Sequence, residues 1–517
     1  MTNTTGTTLA PLTAPFAQPK RPRKGNALLL GTALGFVFGL GYGRGVYAQD
    51  QGTLSGTNNQ TVIRTGPGTF ETQNGFSVDT SDYSSVGSGT AIRITAPVGT
   101  NADTTFSDKY QSGITGGYDG VFALNEGQAA MSIATSGDVL GQSSDGIFAL
   151  ALSGSGLSIT TTNVQGGRTG ISASNAGLAS GALEITTTGL VAGVSEDGII
   201  AYNGTDGTGI TIKARDVTGG TNGVAAYSLS AGALSIKTSG DVQGNTGYGI
   251  YARGAVASTG VAIEANNVTG EDGGAYAVNL ASGALEITTS GDVKSSSGRG
   301  VYAYNGANTN DLTITTNTVQ GTDGIRAKHA GTGTVSITTD GDVLGVEGDG
   351  IYVHSLGENV EISTNSVEGS DDAIRVENHN GGGTKIEITG DVVSQIGDGI
   401  DTYLDSTQNL MITISSTASL ETFGTDIDDF AIEASAPNGA IIVNNFGTVT
   451  GRVNLSNSNT FTNSGTWDLA GTTSDFNANG SSRVVNEGLI VAADDSAVSE
   501  ISAIDNLDTF QSNAGGT

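Results

Sequence analysis

Residues 145–175 read DGIFALALSGSGLSITTTNVQGGRTGISASN. The stretch opens on Asp145-Gly146-Ile147 and returns to the same beat at Thr169-Gly170-Ile171. Between the two lie three apolar beats: Ile147 with Ala149, Leu157 with Ile159, and a lone Val164 before a pair of glycines. Residues two apart share one face of a strand, so each beat is a short strand with one apolar side.

Working outward, a turn residue, Gly and a branched residue recur at Val121, Ile147, Ile171, Ile199, Val224, Ile250, Val301, Ile325, Ile351 and Ile400, with Ala275 and Ile374 filling two further places. The period averages about 25 residues, in the range of solenoid repeats. A Leu-x-Ile-Thr-Thr strand follows each beat, as at Leu183-Ile185, Leu234-Ile236, Leu285-Ile287 and Leu312-Ile314, with Val335-Ile337 and Ile386-Ile388 as variants. A lone Val closes the unit, from Val139 through Val392. Its neighbours alternate between Gly-Asp-Val and Asn/Asp-Val-x-Gly, so the finer repeat is a pair of units.

Three short strands per unit, with no second layer to bury them, exclude a hairpin protein. If each unit forms one coil, identical positions stack ~4.8 Å apart and the Ile, Val, Leu and Ala columns fill a continuous interior. The expected fold is all-β, a right-handed parallel β-helix of about 12 regular coils, each of ~25 residues, with irregular C-terminal coils after them. Gly is expected to supply positive φ at the corners. The Thr columns (Thr160-Thr161, Thr186-Thr187, Thr288-Thr289, Thr338-Thr339) are expected to point outward. Regular repeats occupy 111–417. Irregular coils are expected over 418–499, where Asn445, Asn463 and Asn486 each open a short Gly-containing strand and Trp467 packs as core. Residues 49–110 read as an N-terminal cap and 500–517 as a frayed tail.

Composition narrows the function. The chain has 517 residues, 81 Gly, no Cys, and a formal net charge of −30 from 51 acidic and 21 basic residues. Disulfide scaffolds, zinc ribbons and cysteine nucleophiles are excluded, and so acidic a chain repels nucleic acid. The twelvefold register excludes disorder, which composition alone would allow.

Residues 1–48 carry no acidic residue. The basic cluster Lys20, Arg21, Arg23 and Lys24 precedes an apolar stretch from Ala27 to Leu40, and Val46-Tyr47-Ala48 supplies small residues for cleavage after Ala48. That order is an extended secretory signal. The sixteen basic residues that remain against 51 acidic ones give the exported chain a charge of −35.

An extended signal, no Cys and a Gly/Thr/Asn-rich β-helix together resemble the passenger region of type V autotransporters of Gram-negative bacteria. The resemblance covers about 49–500 and implies passage through both membranes, then display at the cell surface, outer membrane or beyond as a monomeric, adhesin-like stalk. It implies a surface or glycan receptor of unknown identity. The family's membrane barrel is a run of ~10-residue alternating strands; none follows the solenoid here, so a translocator is expected outside this chain.

Two rivals are a secreted matrix repeat protein and a carbohydrate-active β-helix enzyme of the pectate-lyase or polygalacturonase kind. Asp371-Asp372, with His379 nearby, superficially resembles the Asp-Asp segment of polygalacturonase-like hydrolases. Yet Asp372 falls in the same turn slot as Asp119, Asp145, Asp197, Asp323, Asp349 and Asp398, where Asp bonds the turn backbone. The expectation is therefore no catalytic residue and no cofactor. Stacked Asp323, Asp349, Asp372 and Asp398 form a solvated face, with Ca²⁺ the cation best suited to them. His329, His354 and His379 recur every 25 residues and read as a surface column rather than a metal site.

Overall fold

The computed structural model describes residues 53–82, 89–424, 426, 428–470, 472–476, 481–492, 503–505 and 507–513. The expected signal and the cleavage site after Ala48 lie outside the described residues. The described residues, all within the unit that starts at Val46, form a parallel β-solenoid with no helix among them. Every strand pairing in it is parallel, as when Ile147 of one coil lies on Ile171 of the next.

Three ladders run along the solenoid. The first carries the Gly-Ile beat, in strands such as Ile147–Ala151 and Ile171–Asn175. Its register passes from Val62 through Ile92, Val121, Ile147, Ile171 and Ile199 onward to Ile400, Ile432 and Val453. All twelve positions singled out in the sequence fall in this one column. Among the described residues eighteen strands stack in it, so it extends on both sides of 111–417, over roughly 80 Å at one strand spacing per coil.

The second ladder carries Leu-x-Ile (Leu157 on Leu183, Ile159 on Ile185) and the third the lone Val (Val139 on Val164). They merge into one 35-stranded sheet, because Val335–Gly345 and Val360–Gly369 run unbroken around the corner between them. The irregular C-terminal coils continue both ladders: Asn445, Asn463 and Asn486 are register partners, as are Val449, Trp467 and Ile490. Trp467 is fully buried, its ring centroid 4.7 Å from that of Phe461. One continuous core of Ile, Val, Leu and Ala fills the interior.

Four local expectations need correcting. The Gly before each branched residue is not there for positive φ: none of Gly146, Gly170 or Gly198 has one. A Cβ on Gly146 would sit 2.4 Å from the Val164 side chain and 2.8 Å from the Gly170 carbonyl, so close approach of consecutive coils selects glycine. Second, only the first Thr of each pair faces out. Thr161, Thr187, Thr289 and Thr339 are buried, because strict alternation carries the inward phase of Leu-x-Ile on to the next-but-one residue. Third, Ile386 pairs with Ile362, so Thr384 and not Ile386 fills the Leu place; a shift of two leaves the alternation unchanged and is invisible in the pattern. Fourth, His329 is buried at 1% exposure, in the place that Asn305 and Asn378 fill in nearby coils.

That place is a buried amide column. Asn125, Asn175, Asn203, Asn279, Asn305 and Asn378 end their first-ladder strands with no more than 1% exposure. The Nδ2 atoms donate to turn carbonyls, as from Asn125 to Ala129 at 2.8 Å and from Asn279 to Gly283 at 2.9 Å. Asn279 also donates to Oδ1 of Asn305 at 2.9 Å. A second column runs from Asn445 through Asn463 to Asn486, with amide contacts of 2.8 and 2.9 Å. The donated bonds favour this register, since a slip would strand several buried N–H groups at once, although Oδ1 of Asn175, Asn203 and Asn378 is buried without a hydrogen-bond partner.

Candidate functional site

The first ladder turns Ile and Ala inward, so the residues between them face out. One column of that outer face runs Tyr251, Tyr276, Tyr302, Arg326, Tyr352, Arg375, Asp401. Beside it runs Tyr227, Arg253, Val278, Tyr304, Lys328, His354, Glu377, Tyr403. The Tyr276 ring is 5.1 Å from Tyr251 at an angle of 4°, and 4.7 Å from Tyr302 at 18°. Further along, guanidinium groups take over the stack: Arg326 lies 4.4 Å from the Tyr352 ring centroid, with Arg375 5.9 Å from the same ring.

These rings lie on one another along the solenoid, so their faces are occupied and edges and hydroxyls meet the solvent. Such stacking stabilises through the ring quadrupoles and, where Arg intervenes, through cation–π attraction. Burial pushes the phenols of Tyr251 and Tyr302 up. The sequence contains this signal, in the residues one and three places after each branched position. Period-2 alternation of apolar residues marks only the inward half.

The aspartate slot borders this face at the corner between the third and first ladders. The structure brings Asp323, Asp349, Asp372 and Asp398 into one column, but not onto a solvated face. Their exposures are 6–8%, and Asp119, Asp145 and Asp197 are buried as well. Nor does the typical carboxylate bond its own turn. Oδ1 of Asp372 accepts the backbone N–H of Asp398 at 2.8 Å, and Oδ1 of Asp398 accepts that of Phe430 at 2.6 Å. Asp197 likewise accepts the N–H and side-chain amide of Asn222. The slot is thus an inter-coil clasp, which satisfies a corner N–H that the ladders leave unpaired.

Charge at the slot is compensated unevenly. Asp145 takes two hydrogen bonds from Arg168, at 2.9 and 3.0 Å. Asp323 accepts from Arg299 at 2.8 Å and from Arg326 at 3.0 Å, so guanidinium groups stand where a cation would bind. Asp349 is helped only by the charge of Arg375 and not by a hydrogen bond to Oδ1, which is buried without a partner. Burial first, then the charges of Asp372 and Asp323, push its carboxyl up to about 7. Burial pushes Asp398 to about 8, against the bond from Phe430.

Two clusters bring ligand-type atoms within 4.8 Å of one another: Asp398 with Asp401 and Glu433, and His354 with Glu377 and His379. In the first, burial and the charge of Asp372 push Asp401 up to about 6. Arg375 stands between the slot and the outer face, 3.6 Å from both Asp372 and Asp401. Of the four aspartates expected as a group, only Asp398 belongs to a compact cluster. His354 and His379 do come together, with ring centroids 5.2 Å apart, while His329 is inside the core.

The chain matches no protein-family model, and comparison with curated proteins and with solved structures likewise gives no match.

Proposed function

We propose that this chain is an exported stalk of the autotransporter-passenger kind, displayed at a Gram-negative cell surface and used in adhesion or biofilm contact. One observation carries the reading: an unbroken first-ladder register from Val62 to Val453, which makes a rod whose outward residues repeat coil after coil. Each coil contacts only its neighbours, so length can grow without a new core, and a rod of this kind holds a contact surface away from its base. The receptor is a surface or glycan partner.

The test is to produce the full, epitope-tagged chain in its native host beside a deletion strain. The reading predicts a tag cleaved by protease added to whole cells, and attachment to glass or host cells reduced at least several-fold in the deletion strain. A protected tag, or surface display with unchanged attachment, overturns it. A second reading, a carbohydrate-active β-helix, draws on Asp398, Asp401 and Glu433 gathered beside Arg375. Glycoside hydrolysis runs on paired carboxylates in unequal environments. Turnover of pectin or alginate that is lost in Asp372→Asn or Asp398→Asn would favour it.

A further inference from the structure

We propose that His354, Glu377 and His379 form a binding site for a divalent first-row transition ion, for which Zn²⁺ is the best match. His354 and Glu377 are register partners on neighbouring strands, Ile351–Ser355 and Ile374–Asn378. His379 is the first residue past the second strand. One ligand atom from each lies within 4.8 Å of the other two, and His379 Nε2 is 3.8 Å from Glu377 Oε2. Zinc bonds of about 2.0–2.2 Å hold tetrahedral ligand atoms roughly 3.3–3.6 Å apart. Rotation of half-buried side chains covers the difference without moving the backbone. The two imidazoles meet at 48° rather than stacking flat, which lets ring nitrogens converge.

The donor set chooses the ion. Two imidazole nitrogens and one carboxylate oxygen suit Zn²⁺ and its neighbours, whereas Ca²⁺ takes six to eight oxygens. All three residues are half-buried, so the fourth coordination place is open to solvent. Glu377 is held from behind: Arg375 Nη2 donates to its Oε1 at 3.1 Å, leaving Oε2 turned toward His379. The Tyr352 hydroxyl lies 3.4 Å from that same Oε2. Partners of this sort orient a metal-ligating carboxylate. Lys328, the register partner of His354 on the other side, and Arg375 on Glu377 are the nearby charges that work against a bound cation. An ion at this place ties two consecutive coils together.

The experiment is calorimetric titration of the full chain with ZnCl₂ at pH 7.5, repeated with CoCl₂ and visible spectroscopy. Expected are one saturable site, an intense tetrahedral Co²⁺ band, and thermal unfolding shifted upward by Zn²⁺ and restored by chelator. His354→Ala, His379→Ala and Glu377→Gln should each weaken binding at least tenfold while leaving the β-rich circular dichroism intact. Only three histidines exist in the chain, and the third, His329, is in the core. Absence of saturable binding overturns the proposal, and so does binding that persists unweakened in folded His354→Ala and His379→Ala.

Discussion

At the scale of single residues, burial of polar groups sets the terms. The hydroxyls of Thr187, Thr238, Thr289 and Thr316 are buried without partners, whereas those of Thr339 and Thr364 meet at 2.7 Å. Asp349 is the most exposed to consequence, because an ionisable group stands among other acids at a closed corner. Its folded carboxyl binds a proton more tightly than the ordinary carboxylate of the unfolded chain. Its contribution is therefore complete below about pH 4 and is lost as pH rises through about 7. Asp398 acts in the same direction up to about pH 8. Thermal unfolding should accordingly fall in temperature between pH 5 and pH 8.5. Asp349→Asn, which removes the charge and keeps the shape, should flatten that slope and stabilise the solenoid at pH 8.5 by about 1 kcal/mol or more. A variant that melts lower than the parent at pH 8.5 would show that the carboxylate is compensated after all.

Single strands and corners show why each coil lies so tightly on the next. A Cβ on Gly170 would stand 2.5 Å from the Gly198 carbonyl and 2.6 Å from the Val191 side chain. Ala91, Ala373 and Ala431 occupy the equivalent place in other coils, so one methyl is accommodated where the neighbours give way. Around Gly170 the neighbours would have to shift to do so, so Gly170→Ala should destabilise measurably and Gly170→Val, which overpacks the corner further, should destabilise by more, about 1–3 kcal/mol or above; chemical denaturation of the two variants side by side reads this. The sequence revealed the strands themselves because their inward residues repeat, from Val121 to Ile400. It did not reveal why Gly precedes them, since φ and contact leave the same letter. Nor did it fix Ile386, whose alternation fits two registers equally. The aspartate column was legible as a repeat, but its burial was not: whether a turn faces water depends on how the next coil covers it. The His354–Glu377–His379 cluster was half legible, because the histidine spacing is visible and Glu377 joins only once two strands are in register.

For the molecule as a whole, stacking of coil on coil is what every other feature depends on. Although the whole chain carries a net charge of −30, the rod gathers Arg253, Arg299, Arg326, Lys328 and Arg375 within a few coils, three of the arginines in ion pairs with slot or face carboxylates. The stalk reading, the inter-coil clasps and the ion site all require each coil to lie directly on the one before. Because the chain has no Cys, engineered pairs test this cleanly. Glu286 and Thr313 are register partners on the second ladder, and Ser336 is one strand further. Partners about 4.8 Å apart fall within disulfide reach, and residues two strands apart, at roughly 10 Å, do not. Under mild oxidation, Glu286→Cys with Thr313→Cys should cross-link within the chain nearly completely, and Glu286→Cys with Ser336→Cys should not. Equal cross-linking of both pairs, or none in the first, would contradict the in-register solenoid on which everything else depends.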